Sequence, residues 1–200
     1  MSQQPKLSVL IASMYSRDAK LKALVANLLS QSRGLPVEIL SLTDLGILQG
    51  GMKIGAKRRA LLEASTGTHI VFHDDDDRPY HDYVRSIIPH CLPDVDCIGF
   101  RIDCYGYARD PKQLETAVVS ARYHTWAENV DGFRYVRHTH HLVPVRRELA
   151  MAANFDPKSE YGEDHAYSMR LKNLFPNKRE VFIDHVLYTI DHNPQKTFGQ

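Results

Sequence analysis

Four successive carboxylates, Asp74-Asp75-Asp76-Asp77, stand directly behind an apolar run from His69 to His73. Neighbouring carboxylates repel by about 1 kcal/mol per pair in water, and by more where water is excluded. A divalent cation removes that repulsion, and hard oxygen donors suit Mg²⁺ or Mn²⁺. The cation would in turn neutralise a diphosphate. The alternative is a solvated acidic turn. The apolar run favours a site, because ligands of open α/β sheets gather at the carboxyl ends of strands. No Gly or closing Glu follows at the spacing of a calcium hand. A P-loop G-x-x-x-x-G-K-[ST] is absent, and Gly50-Gly51 with Gly55 does not form G-x-G-x-x-G. Phosphate must then be held by the metal and by nearby cations. Lys53, Lys57, Arg58 and Arg59 lie one short helix upstream, where the alternative is a solvated helix face.

A second acidic pair, Glu163-Asp164, follows Tyr161-Gly162 at the start of a predicted helix. Acids are favoured there by the helix dipole whatever else they do. The chain has 11 histidines, and His138, His140 and His141 cluster. No matching Cys or His pair completes a structural zinc site, so a strand edge or an acceptor-contacting loop is expected instead. Tyr123-His124-Thr125-Trp126 and Phe133-Arg134-Tyr135-Val136-Arg137-His138 interleave aromatics with cations. Such surfaces stack on bases or sugars and meet phosphates, although an ordinary amphipathic strand reads the same way.

The elements that must position these groups alternate through the first half. Leu7 to Ala12 reads as a strand buried on both faces. Leu21, Leu24, Val25, Leu28 and Leu29 have helical spacing and stop before Gly34 and Pro36. Val37 to Leu42 is a second strand, Lys57 to Ala64 a basic helix, and His69 to His73 a third strand. A further helix, entered at Pro79, carries Tyr80, Tyr83, Val84, Ile87, Ile88 and Cys91. This order predicts a parallel sheet with helices on both faces. Beyond Cys97 it loosens: Cys97 to Ile102 and Val181 to Ile190 read as strands, Glu163 to Leu174 as a helix, and the stretch between has no clear pattern.

Two hundred residues without repeats or linkers suit one domain over 1–200. A 43% apolar and 24% charged composition is globular. A net charge of +1 excludes a uniformly cationic nucleic-acid coat but leaves room for a local basic face. The three cysteines, Cys91, Cys97 and Cys104, form no C-x-x-C pair, against a disulfide framework. No apolar run approaches the roughly 18 residues of a membrane span. The apolar stretch after Lys6 is too short for a signal peptide, so a soluble, cytoplasmic protein is expected.

Several blocks together resemble the GT-A fold glycosyltransferases of family 2. Ser8-Val9-Leu10-Ile11-Ala12-Ser13-Met14-Tyr15-Ser16-Arg17, with the helix ending Leu28-Leu29-Ser30-Gln31, is similar to the family's first strand and helix. Glu38-Ile39-Leu40-Ser41-Leu42-Thr43-Asp44 resembles the second strand. Ile54-Gly55-Ala56-Lys57-Arg58-Arg59-Ala60-Leu61-Leu62, Gly67, and then Ile70-Val71-Phe72-His73-Asp74-Asp75-Asp76-Asp77 resemble the block ending in the D-x-D metal motif. Gly162-Glu163-Asp164 resembles the late E-D motif. Arg59 stands where the family usually has Asn, and Thr43-Asp44 carries one acid where it usually has two. A narrower likeness is to small bacteriophage members with I-G-x-K-R-N before D-D-D-D and an H-L-x-P segment, here His141-Leu142-Val143-Pro144. For a phage protein the location would be the host cytoplasm.

The resemblance implies a single GT-A domain with a mostly parallel, Rossmann-like sheet flanked by helices. It implies a metal-dependent, inverting transfer from a nucleotide-diphosphate sugar, with a UDP-sugar favoured and Mn²⁺ or Mg²⁺ as cofactor. Asp164 would be the catalytic base, with Glu163 beside it. Donor contacts fall on Ala12, Ser13, Tyr15, Arg17, Asp44 (toward the nucleobase), Gly55, Lys57, Arg58, Asp74 and Asp75. Metal ligands fall on Asp76, Asp74 and His192, with His185 in reserve. Arg134, Arg137 and His141 are the acceptor candidates, for a hydroxymethylated base in phage DNA or for a glycan. Two rivals remain. A nucleotidyltransferase would carry a Gly-rich, basic loop after the first strand, which Ala12-Ser13-Met14-Tyr15-Ser16 is not. A non-catalytic sugar-nucleotide or nucleic-acid binding module would not need acids at both Asp76 and Asp164.

Overall fold

The computed structural model describes residues 4–105, 114–175 and 179–191. The first strand, β1 (Leu7–Met14), lies at the centre of a parallel unit. It pairs along its whole length with β2 (Val37–Asp44), and over Leu7 to Leu10 with β3 (His69–Phe72). Alternation along β1 sends Leu7, Val9 and Ile11 to one face and Leu10 to the other. On the first face lie Leu21, Leu24 and Leu28 of α1 (Asp18–Gln31), with Tyr83, Val84 and Ile87 of α3 (Tyr83–Ile87). On the second lie Leu61 and Leu62 of α2 (Ile54–Ala64), Ala150 and Ala153 of α4 (Arg147–Ala153), and Tyr167 and Leu171 of α5 (Glu163–Leu174). Covering both faces is what allows these strands to be apolar on both sides.

The sheet continues through antiparallel pairings of β3 with β9 (Val145–Arg146) and of β9 with β5 (Cys97–Tyr105). An outer ribbon adds β6 (Leu114–Val119), β7 (Ala127–Val130) and β8 (Phe133–Arg137), giving the order β2-β1-β3-β9-β5-β6-β8-β7. The last strand, β10 (Glu180–Asp191), pairs in parallel with β5 and antiparallel with β4 (Arg78–Pro79). The two longest ladders, β1/β2 and β5/β10, are parallel. The architecture is a mixed α/β sheet, largely parallel at its centre and flanked by helices. Among the described residues no helix is long and apolar enough to cross a membrane.

Two expectations need correction. Pro79 does not open a helix; it sits in β4 against Tyr188 of β10, an edge position that tolerates a missing N–H. The helix begins at Tyr83 and tightens after Ile87 into a 3₁₀ turn over Ile88–His90. Of the apolar positions expected of the longer helix, Tyr83, Val84, Ile87, Ile88 and Cys91 are nonetheless buried, while Tyr80, ahead of the helix, is half-buried. The patternless stretch holds β6 to β9 and α4, whose pairing is largely antiparallel.

Candidate functional site

The aspartate run leaves the end of β3 in a tight turn, Asp77 N–H donating to Asp74 O at 3.2 Å. The turn gives four chemically alike residues four different surroundings. Asp74 faces Arg58 Nη2 at 2.9 Å and His141 Nε2 at 3.3 Å. Burial opposes its charge, but these two partners outweigh it and hold the carboxyl well below the usual carboxylate range. Asp75 is buried and accepts hydrogen bonds from Ser13 Oγ at 2.6 Å and Arg17 Nη1 at 2.7 Å. Asp77 accepts from the hydroxyl of Tyr188 at 2.8 Å, and that same oxygen accepts the Asp74 N–H at 3.2 Å. Asp76 is a third exposed, with Arg17 Nη1 3.2 Å away. Burial, together with the neighbouring charges of Asp75 and Asp74, pushes its carboxyl above the ordinary range despite Arg17.

Arg58 ties this turn to the second acidic pair. Its guanidinium lies against the packed rings of Phe72 and Phe155, 5.8 and 5.9 Å from their centroids. Nη1 stands 2.8 Å from Glu163 Oε1, at an angle that makes an ion pair rather than a hydrogen bond. The phase of α5 explains why Glu163 is available: its buried stripe is Glu163, Tyr167 and Leu171, at i, i+4 and i+8. Asp164, one residue on, projects about 100° around the helix. The helix starts behind Gly162, whose φ of 70° turns the chain sharply.

An open cleft of about 1200 Å³ follows from this arrangement. Ala12, Ser13, Arg17, Lys57, Arg58, Asp74, Asp75, Asp76 and Glu163 form its polar part. Met14, Ile47, Met52, Ile54 and Tyr161 give it an apolar wall. A second pocket, of about 600 Å³, opens on the other side of the α5 start. Asp164, Trp126, Arg137, His138, His140 and Ser168 are among its walls. Glu163 and Asp164 thus serve different cavities.

Several expected donor contacts are already engaged within the protein. Lys57 is buried, with Nζ donating to Ser13 O at 2.7 Å and paired with Asp44 at 2.5 Å. Asp44 also accepts the N–H groups of Gly46 and Met52, so it pins the loop over residues 45–52 instead of standing free for a base. Gly55 is a packing residue: a Cβ there would come 2.1 Å from Asp156 O, and its N–H donates to Ser159 O at 3.2 Å. Tyr15 is 60% exposed and is not among the cleft walls.

The remaining expected residues are scattered. His141 lies buried against Asp74 and is among the walls of neither cavity. Arg134 is on the outer ribbon with Glu115 and Glu128, away from both cavities. Arg137 does reach the second pocket, its guanidinium carbon 3.0 Å from the Trp126 ring centroid. His185 pairs with Asp82 at 3.3 Å, and His192 lies outside the described residues. Sequence reasoning missed Tyr188 as the clamp on the aspartate turn and Arg58 as the bridge to Glu163. Both contacts join residues far apart in the chain, and neither leaves a local pattern.

Among the described residues no three His, Cys, Asp or Glu side chains converge to cage a metal ion. The donor set fits a hard divalent cation that keeps open positions for water and phosphate oxygens, the usual state of Mg²⁺. Asp76 is the carboxylate with most to gain, being exposed to the cleft and pushed toward protonation by its neighbours.

No protein-family model and no curated protein sequence matches the chain. Solved structures do match in shape. TarS of S. aureus, residues 1–349, superposes with a TM-score of 0.58 at 16% identity over 92% of this chain and 60% of that one. The same protein in complex with UDP-GlcNAc gives 0.58 at 15% identity, over 94% and 59%. The catalytic domain of Drosophila β1,4-galactosyltransferase 7, in complex with xylobiose, gives 0.59 at 12% identity, over 96% and 73%. The chain therefore spans about 60% of the TarS segment it matches. The fold is the GT-A fold of glycosyltransferases.

Proposed function

We propose that the chain is a metal-assisted, inverting glycosyltransferase that uses a UDP-sugar. The observation carrying this is the division of Glu163 and Asp164 between two cavities, with Arg58 linking Glu163 to the aspartate turn. A donor diphosphate lies at the polar end of the cleft, beside Arg17 and Asp76, and its nucleoside lies toward Met14, Ile47 and Met52. UDP is favoured because the TarS chain is similar in fold and its complexes hold UDP-GlcNAc and UDP. Asp76 and Asp74 would hold a divalent cation, which would supply charge neutralisation for the leaving diphosphate. Asp164 takes the proton of the acceptor hydroxyl as that oxygen bonds to the anomeric carbon. The bond from that carbon to the β-phosphate oxygen breaks, and its electron pair leaves on UDP.

The test is release of UDP from UDP-sugars with Mn²⁺ or Mg²⁺, with and without chelator. Metal-dependent release that Asp164→Asn suppresses supports the reading. Release unchanged in chelator, or none with any UDP-sugar, overturns it.

A further inference from the structure

The second pocket carries information about the acceptor. Trp126 is 47% exposed at its rim, and the Arg137 guanidinium carbon lies over its ring. Tyr135 meets the indole edge-on, with centroids 6.3 Å apart. The indole is thereby held in one orientation, with about half its surface open. Asp164 is the one carboxylate among the described pocket walls.

Cations around the pocket are already committed. Arg137 is on the indole, and Lys172 Nζ donates to His124 O at 2.7 Å. Further out, away from the pocket, Arg134 is held in ion pairs with Glu115 and Glu128 on the outer ribbon. Binding a nucleic acid requires cations free to neutralise phosphates, and even one DNA-binding module covers about 600–1000 Å² of protein. The pocket's few walls enclose space for a small molecule rather than for a stretch of duplex.

We propose that this pocket takes the acceptor as a neutral, hydroxyl-bearing sugar ring. The ring stacks on the open surface of Trp126 and presents a hydroxyl to Asp164. Arg137 is a positioning residue that sets the indole. The proposal rests on the glycosyltransferase reading and names the acceptor class of that site.

Trp126 is the chain's one tryptophan, so its fluorescence reports this pocket directly. The experiment titrates the intact chain with neutral methyl glycosides, with the corresponding sugar phosphates, and with an oligonucleotide containing 5-hydroxymethylcytosine. In parallel, UDP release from UDP-GlcNAc and other UDP-sugars is measured with Mn²⁺, with and without each acceptor. The expected result is saturable quenching by at least one neutral glycoside, and transfer to that glycoside. Trp126→Ala should raise its KM about tenfold, the loss of roughly 1.4 kcal/mol of stacking, with kcat falling far less than KM rises. Trp126→Phe should recover most of the affinity.

Arg137→Ala should raise the same KM and broaden the Trp126 emission. UDP release with quenching or transfer only by the phosphorylated acceptors or the oligonucleotide overturns this proposal alone. So does an unchanged KM in Trp126→Ala. No UDP release from any donor overturns the glycosyltransferase reading and this proposal with it.

Discussion

The cleft and the second pocket are built from opposite materials. The cleft is held by charge: Arg17, Arg58 and Lys57 each neutralise a carboxylate, at 2.7, 2.9 and 2.5 Å. The pocket is held by aromatic contact, with Arg137 on Trp126 and Trp126 against Tyr135. The cleft is framed largely by the parallel strands of the first half, and the pocket's Trp126 and Arg137 come from the antiparallel ribbon and its approach. On the proposed function, the charge-built cleft would meet the donor's diphosphate and the aromatic pocket the acceptor. An aromatic site can be retuned without disturbing the cleft.

The comparison breaks most severely at Asp76. Asp76→Ala should lower turnover by more than about 10³-fold, since charge stabilisation by a metal is worth several kcal/mol. It should leave thermal stability unchanged or raised, because this carboxylate is crowded by its neighbours. A well-folded variant of ordinary activity would remove the aspartate run from the chemistry. Asp164→Asn should cost about 10² to 10⁴ in kcat with donor affinity unchanged, read by steady-state kinetics and by UDP binding. Equal losses in donor affinity would place Asp164 in the cleft and erase the distinction between the two cavities.

Arg58→Met sharpens the same line in stability. Removing a buried cation from Asp74 and Glu163 strands their charges, which typically costs about 3–5 kcal/mol. Asp74 keeps a 38% exposed side chain, so the lower end is expected in urea denaturation. Arg134→Ala, by contrast, breaks ion pairs with Glu115 and Glu128 on the ribbon and should leave the urea midpoint close to that of the parent, with activity intact.

The smallest effect concerns pH. Burial raises the Glu38 carboxyl, but hydrogen bonds from Ser8, Thr66 and Gly67 outweigh it and leave it below the ordinary 4.5. A lowered folded value means that this contribution is present above pH 4.5 and is lost as pH falls through the folded value. Glu38→Gln should flatten the acid limb of the stability profile and leave activity at neutral pH alone.

The first half was legible because its signals are local. Apolar runs bounded by Gly34, Pro36 and Gly67 set β1, β2 and β3, and the aspartates follow their strand directly. The α5 limits, Glu163 to Leu174, were legible for the same reason. The stretch between the first half and α5 was not, because β7 has only 4 residues, and β9 has 2 and pairs with β3 and β5, both distant in the chain. In the cleft, charge marked which residues matter but not how they pair. Lys57 and Asp44, each read as a donor contact, turn out to hold one another. Gly55 was placed among the donor contacts by the resemblance, and its crowding against Asp156 leaves no local trace because it involves a loop about a hundred residues later.

Loops usually tolerate insertions better than any other part of a chain. The segment 154–162 is an exception, because Glu163 and Asp164 must emerge from it in fixed phase. One residue gained or lost within the helix start would turn both side chains by about 100°. Glu163 would then leave Arg58, and Asp164 would swing away from its cavity. Gly162 in its left-handed conformation fixes where the count begins. Length variants in this segment should therefore be as damaging as point changes at the acids themselves, and relatives that preserve the chemistry should preserve the spacing between the loop's Gly55-facing turn and Gly162.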